Sequence, residues 1–188
     1  MWERGAEAVL AGVVVVAAVS DLKKGKVYNW LTYPAIAAGL AFGALEGWAQ
    51  GHAWDGLANH LAGFGLAFGV LFVAYILGGM GGGDVKLMAA VGAFVGWPGA
   101  VDAVFYSFLV AVVVGLAIVV WRGQTWTLVR RLAVAVRLLP VPGVKTDEAI
   151  PETTAGVPFG FAVCVGTLWH LAENEIGTTL WAALARLF

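Results

Sequence analysis

The chain has 188 residues, of which 61% are hydrophobic and only 12% are charged. Soluble domains carry about 25% charged residues, so this composition predicts a protein that crosses a membrane several times. The formal net charge of −1 excludes a strongly basic surface for nucleic acid. The single cysteine, Cys164, excludes an intrachain disulfide framework and a cysteine-type zinc site.

The apolar segments predict an all-α protein with about six transmembrane helices, forming a single membrane-embedded domain over 1–188. The predicted spans are 3–20, 31–49, 56–77, 85–97, 100–121 and 157–172. The N-terminal flank of the first span carries Glu3, Arg4 and Glu7, and three lysines follow its apolar run, which is the reverse of the charge order of a signal peptide. The fourth span is short for a bilayer, and Trp97-Pro98-Gly99 separates it from the fifth.

Glycines recur at steps of four residues in two of these spans. Gly39, Gly43 and Gly47 lie in the second span, and Gly65 and Gly69 lie in the third. Such spacing favours close contact between helices in lipid. We therefore expect these two faces to pack against neighbouring helices.

The longest polar region covers 122–156, between the fifth and sixth spans. Apolar residues at helical spacing predict an amphipathic helix over 125–139 that lies on the cytoplasmic side of the membrane. Three acids follow it in the loop that leads to the last span, namely Asp147, Glu148 and Glu152.

The basic residues orient this layout. Loops 21–30, 78–86 and 122–156 contain nine of the 11 basic residues, which are Lys23, Lys24, Lys26, Lys86, Arg122, Arg130, Arg131, Arg137 and Lys145. The opposite side keeps only Arg4 and Arg186. Because basic loops stay in the cytoplasm, both termini are predicted to be outside the cell.

Two acids stand where apolar segments meet the predicted cytoplasmic face. Asp84 directly follows the glycine run 81–83, and Asp21 directly follows the first span. An ionisable residue at membrane depth is costly, which makes it a functional candidate by default. Taken alone, Asp21 also fits an ordinary helix-end acid and Asp84 an N-cap. Their common face, and the glycines that admit another backbone beside Asp84, favour a functional pair.

Such a pair has a defined chemistry. Two carboxylates that share one proton form the catalytic group of aspartic proteases, since one activates water while the other donates to the peptide carbonyl. Asp84 begins a helix, where the positive dipole end favours the ionised form, and Asp21 closes one, where the negative end favours the protonated form. On this ground alone Asp84 is the expected base and Asp21 the expected acid.

Three elements in this order resemble the type IV prepilin peptidases and archaeal preflagellin peptidases, the A24 family of GxGD intramembrane aspartic proteases. Residues 81–87, GGGDVKL, resemble the GxGD motif, and residues 21–32 resemble the segment with the first catalytic aspartate. Residues 158–160 resemble a Pro-aromatic-Gly element of the last core helix. By this resemblance, the residues expected at the site are Asp21, Gly81, Gly83, Asp84, Lys86, Pro158 and Gly160.

The resemblance implies a six-span aspartyl endopeptidase in the cell membrane of a prokaryote. Its substrates would be pilin-like precursors, cut at the cytoplasmic face after a basic leader peptide that typically ends in glycine. Asp21 and Asp84 would carry the catalysis without a cofactor or a metal ion.

Two departures from the family pattern bear on this expectation. Many bacterial members carry a cytoplasmic insert with paired CxxC motifs and also methylate the new amino terminus. One cysteine and a ten-residue first loop leave no room for that insert, so the chain looks more like the short peptidases of Flp/Tad pili or the archaeal enzymes. Tyr28 stands where the family often has proline.

A basic leader would be repelled by the lysines beside the two aspartates. We therefore expect Asp147, Glu148 and Glu152 to receive the leader on the cytoplasmic side. His170 and Glu173 have helical spacing that suits a metal ion, but the topology places them on the face opposite Asp84, so no metal site is expected.

The rival function is a proton-coupled carrier or channel that uses its acids as a relay. It predicts acids near mid-membrane and inverted repeats, neither of which is visible in this sequence. A presenilin-like protease would need a Tyr-Asp element, which is absent.

Overall fold

The computed structural model describes residues 2–123 and 158–176. Five helices make up this part, namely α1 (Trp2–Lys24), α2 (Asn29–Ala49), α3 (Ala53–Ile76), α4 (Gly82–Trp121) and α5 (Phe159–Ile176). The all-α prediction is therefore confirmed for the described residues. The predicted amphipathic helix over 125–139 and the acids Asp147, Glu148 and Glu152 lie outside them.

The described residues fall into two compact units. The first contains the residues up to Ala111 together with those from Pro158 onward, and the second begins at Val112 with the last turns of α4. Both aspartates belong to the first unit. The single domain over 1–188 stays a prediction.

Three of the described helices are long and apolar enough to cross a membrane, namely the α1 segment Arg4–Lys24, α3 and α4. The six predicted spans are therefore not confirmed. The second predicted span corresponds to α2 and the sixth to α5. Neither helix qualifies as a membrane span by its length and composition. The fourth and fifth predicted spans both lie within the 40 residues of α4, on the two sides of a kink at Gly96.

The predicted break between those two spans is present inside α4, one residue earlier than expected. Gly96 leaves the helical conformation with φ 72° and ψ −177°. Pro98 has no N–H to donate and restricts the backbone conformation of the residue before it, so the helical hydrogen-bond pattern is interrupted here. The side-chain oxygen of Asn59 accepts a hydrogen bond from the N–H of Trp97 at 3.1 Å and so satisfies the donor beside the break.

The predicted glycine face of α2 is a packing face. A Cβ at Gly39 would lie 2.8 Å from the carbonyl carbon of Ala93 in α4, and one at Gly43 would overlap the ring of His60 in α3. Only glycine permits so close an approach. The prediction for Gly65 and Gly69 is wrong within the described residues, because no atom lies within 4 Å of a Cβ placed at either one.

The core of the first unit is built around the first half of α4. Leu87, Met88 and Val91 are fully buried, and they join Leu10 and Val14 of α1 in one apolar cluster. Val163 of α5 belongs to the same cluster, since α1 packs along α5. This packing brings the end of α1, the start of α4 and the start of α5 together.

Candidate active site

Asp21 lies in the last turn of α1, three residues before the helix ends at Lys24. Gly25 follows with a left-handed φ of 61°, and its N–H donates to the carbonyl oxygen of Asp21 at 2.7 Å. A left-handed glycine of this kind ends a helix and turns the chain sharply. Residues 25–28 then reach α2 in four residues, so Asp21 stands beside the first turn of α2.

The Asp21 carboxylate is held by the beginning of α5. Its Oδ2 accepts a hydrogen bond from the backbone N–H of Gly160 at 2.8 Å. A Cβ at Gly160 would lie 2.9 Å from the same oxygen and 2.9 Å from the Asp21 Cβ. Position 160 therefore requires glycine, because a side chain there would collide with Asp21. The neighbouring Phe159 anchors this helix end through an edge contact with Phe108 of α4, with 5.6 Å between ring centroids.

Asp84 is the third residue of α4. The carbonyl oxygen of Gly81 accepts the N–H of Asp84 at 3.1 Å and that of Val85 at 3.4 Å, so Gly81 occupies the N-cap position. The alternative interpretation of Asp84 as the N-cap is wrong. Its carboxylate instead turns back over the cap, where a Cβ at Gly81 would lie 3.1 Å from Oδ2.

Both aspartates line one cavity of about 340 Å³. Its other walls are the loop before α2 and the glycine run before α4, that is residues 25–29 and 81–83. Asp21 and Asp84 are each half-buried, and the charge of one acts on the other. Two such carboxylates can divide one proton between them and polarise a water molecule.

The glycine run has a structural role at one position in particular. A Cβ at Gly83 would lie 3.0 Å from the carbonyl oxygen of Val27 and 3.1 Å from its Cβ. The missing side chain thus lets the loop before α2 lie directly on the start of α4. This contact forms one wall of the cavity.

Lys86 connects two elements of the site without binding either acid. Its Nζ donates to the side-chain oxygen of Asn29 at 2.9 Å and lies 5.0 Å from the ring centroid of Tyr33. The contact ties the first turn of α4 to the first turn of α2. Among the described residues, no lysine forms an ion pair with Asp21 or Asp84.

Neither Asn29 nor Val27 stands out in the sequence as a site residue. Asn29 is a polar residue at the start of an apolar helix, and that position was the available signal for it. Val27 carries no such signal, because its role depends entirely on the nearby Gly83.

A second cavity, of about 670 Å³, lies elsewhere in the unit and includes neither aspartate. Glu46, His60 and His170 are among its polar lining residues. His60 Nε2 lies 3.5 Å from Glu46 Oε2, and His170 Nδ1 lies 3.9 Å from Asp102 Oδ2. No group of three or more potential metal ligands occurs among the described residues. These polar groups pair with one another, so the smaller cavity is the better candidate.

The sequence model of the type IV leader peptidase family matches residues 8–116, which include both aspartates. A prepilin leader peptidase/N-methyltransferase of Aeromonas salmonicida strain A449 is 31% identical over 126 residues, covering 65% of this chain and 43% of that protein. A protein of the same name from Burkholderia pseudomallei strain 1026b is 30% identical over 118 residues, covering 61% of this chain and 37% of the relative.

The Bacillus subtilis strain 168 protein of that name is 31% identical over 114 residues, covering 59% of this chain and 43% of the relative. The chain thus spans less than half the length of these curated relatives. No solved structure matches it. The family match covers more than half of the chain, and the aspartate pair lies inside it, so this membrane protein belongs to the type IV leader peptidase family.

Proposed function

We propose that this protein is an aspartyl endopeptidase that removes the basic leader peptide from pilin-like precursors. The cut would follow a glycine at the cytoplasmic face of a prokaryotic cell membrane. Asp21 and Asp84 would activate the attacking water. The relatives are named as both peptidases and N-methyltransferases, and we extend only the peptidase activity to this chain.

One observation carries this proposal. Asp21 and Asp84 come from different helices that are separated by the whole of α2 and α3, yet both residues line the same cavity. Burying two acids side by side is costly unless their shared proton is used. A purely structural membrane helix bundle gives no reason for this arrangement.

The reaction needs a water molecule and both carboxyl groups. One carboxylate takes a proton from water as the water oxygen attacks the peptide carbonyl carbon, and the other carboxyl donates its proton to the carbonyl oxygen. As the resulting gem-diol collapses, the C–N bond breaks and the leaving amine takes the first proton. A gem-diol hydroxyl returns a proton to the second carboxylate, which restores the pair.

The loop walls suit a peptide substrate. Gly81 is exposed at the cavity edge and carries no side chain, so an extended backbone can come close to Asp84. Exposed residues line the cavity, among them Gly25, Lys26 and Gly81, so a polypeptide can reach it from the surface.

Co-expression with a panel of precursor pilins tests the proposal. The precursors carry basic leaders that end in glycine, and mass spectrometry reads the amino terminus of the product. We expect cleavage after the glycine and no cleavage when that glycine is replaced by a bulky residue. A well-folded protein that leaves the whole panel intact would contradict the proposal and favour the proton-coupled carrier, which a proton-flux assay in vesicles would then detect.

We also propose that Asp147, Glu148 and Glu152 attract the leader, since Lys23, Lys24, Lys26 and Lys86 repel it. Replacing all three acids with their amides is expected to raise KM severalfold with little change in kcat, and the effect should shrink at high salt. Kinetics on a precursor with a neutral leader provide the control. An unchanged KM for the basic leader would remove this role.

A further inference from the structure

We infer that the backbone N–H of Gly160 is a positioning donor that holds Asp21 as the ionised carboxylate, so that Asp21 is the base of the pair and Asp84 its acid. This inference rests on the proposed function and reverses the assignment that the dipoles of α1 and α4 alone predict. Asp21 would take the water proton, and Asp84 would give its proton to the peptide carbonyl.

The Asp21 carboxylate accepts a short backbone hydrogen bond from Gly160. The N–H of Gly160 belongs to the first turn of α5, where backbone donors have no partner within the helix. A hydrogen bond to an ionised oxygen is about twice as strong as one between neutral groups. The opposing dipole of α1 acts on Asp21 without any such directed contact and is screened by salt. The direct bond therefore decides the charge state of Asp21.

Asp84 has the poorer donor. Its carboxylate folds back towards the backbone of Gly81, at the cap of its own helix, with no backbone contact among the described residues as short as that between Gly160 and Asp21. The negative charge of Asp21 also acts on it. Two adjacent carboxylates do not both ionise readily, so one of them keeps a proton. The carboxyl without a short backbone hydrogen bond, Asp84, is the one that keeps it.

The charged groups around the pair do not reverse this order. Those that face the cavity or flank it are Lys23 and Lys24 on α1, Lys26 and Tyr28 in the loop, Tyr75 on α3 and Lys86 on α4. Lys24 lies 5.5 Å from the ring centroid of Tyr28, and Lys86 is bound to Asn29. The start of α5 contributes no charged side chain, because Pro158, Phe159 and Gly160 are all uncharged.

The missing Cβ of Gly160 is as important as its N–H. A methyl group there would lie 2.9 Å from Asp21 Oδ2 and 3.1 Å from its Cγ, so the carboxylate must move away and its hydrogen bond to the backbone must lengthen. Gly160→Ala thus weakens the backbone hydrogen bond to Asp21 without changing any charge. Gly12→Ala is the matched control, because Gly12 lies in α1 and a Cβ there meets no atom within 4 Å.

Carbon-13 NMR of the protein in lipid reads the proton directly. Each aspartate is followed by a different residue type, so aspartate labelled with carbon-13 and leucine or valine labelled with nitrogen-15 identify Asp21 and Asp84 respectively. We expect the Asp84 side-chain carboxyl to show the protonated signal at a pH where Asp21 is ionised. A proton on Asp21, or one shared equally, would overturn the inference, and this measurement needs no variant.

The variant adds a second readout. In Gly160→Ala, at the same pH, the protonated carboxyl signal is expected to shift from Asp84 towards Asp21, because Asp21 loses its short backbone hydrogen bond. In Gly12→Ala that signal should stay on Asp84, as in the wild type. If Gly160→Ala left the protonated signal on Asp84 alone, Gly160 would have no positioning role. Because these signals do not depend on cleavage, their failure is distinct from a failure of the peptidase assay.

Discussion

Replacing either Asp21 or Asp84 with asparagine is expected to reduce the rate of leader cleavage by about 10²- to 10⁴-fold. Asparagine keeps the shape of the side chain but can neither take a proton from water nor return one to the leaving amine. Because the two carboxyls act as one group, the double variant should be hardly worse than either single variant. Single-turnover cleavage of a precursor in detergent or in vesicles gives these rates.

Asp55→Asn is the matched control for the loss of an acid. Asp55 lies in the first turn of α3, is exposed and lines neither of the two cavities described above. We expect its cleavage rate to stay within about twofold of the wild type, since exposed substitutions change little. Thermal unfolding of all variants in one detergent separates lost chemistry from lost folding. Cleavage that survives in a folded Asp21→Asn or Asp84→Asn protein would remove the two-aspartate mechanism.

Gly63→Ala is expected to destabilise the protein by forcing a methyl group into the α3–α4 contact. A Cβ at Gly63 would overlap the carbonyl oxygen of Gly92 and lie 2.5 Å from the carbonyl carbon of Gly96. Backbone atoms cannot move aside as a side chain can, so the helices must separate. Overpacking of this kind costs about 1–3 kcal/mol of unfolding free energy.

Gly65→Ala gives the comparison on the same helix. No atom lies within 4 Å of a Cβ at Gly65, so the methyl group meets no neighbour among the described residues. Alanine favours a helix over glycine by up to about 1 kcal/mol, and this variant should be neutral or slightly stabilised. Thermal unfolding in the same detergent measures the stability of both variants, since each kcal/mol of unfolding free energy shifts Tm by about 2–4 °C. Equal unfolding temperatures for the two variants would contradict the packing described for α3 and α4.

Local patterns predicted much of the helical framework. Long apolar runs indicated α1, α3 and α4, and the proline after Trp97 indicated the break, which the structure places at Gly96. Glycines spaced four residues apart correctly indicated the packing face of α2. The same spacing at Gly65 and Gly69 in α3 did not mark a contact with another described helix. The same spacing is compatible with either face of a helix, and only the neighbour decides which glycines are in contact.

The number of spans was the largest difference from prediction. Three helices in the described part of the chain are long and apolar enough to cross a membrane, and the predicted fourth and fifth spans lie on the two sides of the kink at Gly96. Asn59 accepts the N–H of Trp97 beside that kink, a contact from another helix that sequence periodicity does not contain.

The sequence by itself determined the helical class, the membrane character and the two acids at helix ends, because these follow from composition and from short-range periodicity. Only the tertiary structure decided that Asp21 meets the N–H of Gly160, that Val27 fills the place of a Gly83 side chain, and that Lys86 binds Asn29. Each of these contacts joins segments far apart in the chain. Their geometry depends on how α1, α2, α4 and α5 pack, and that packing places both aspartates in one cavity.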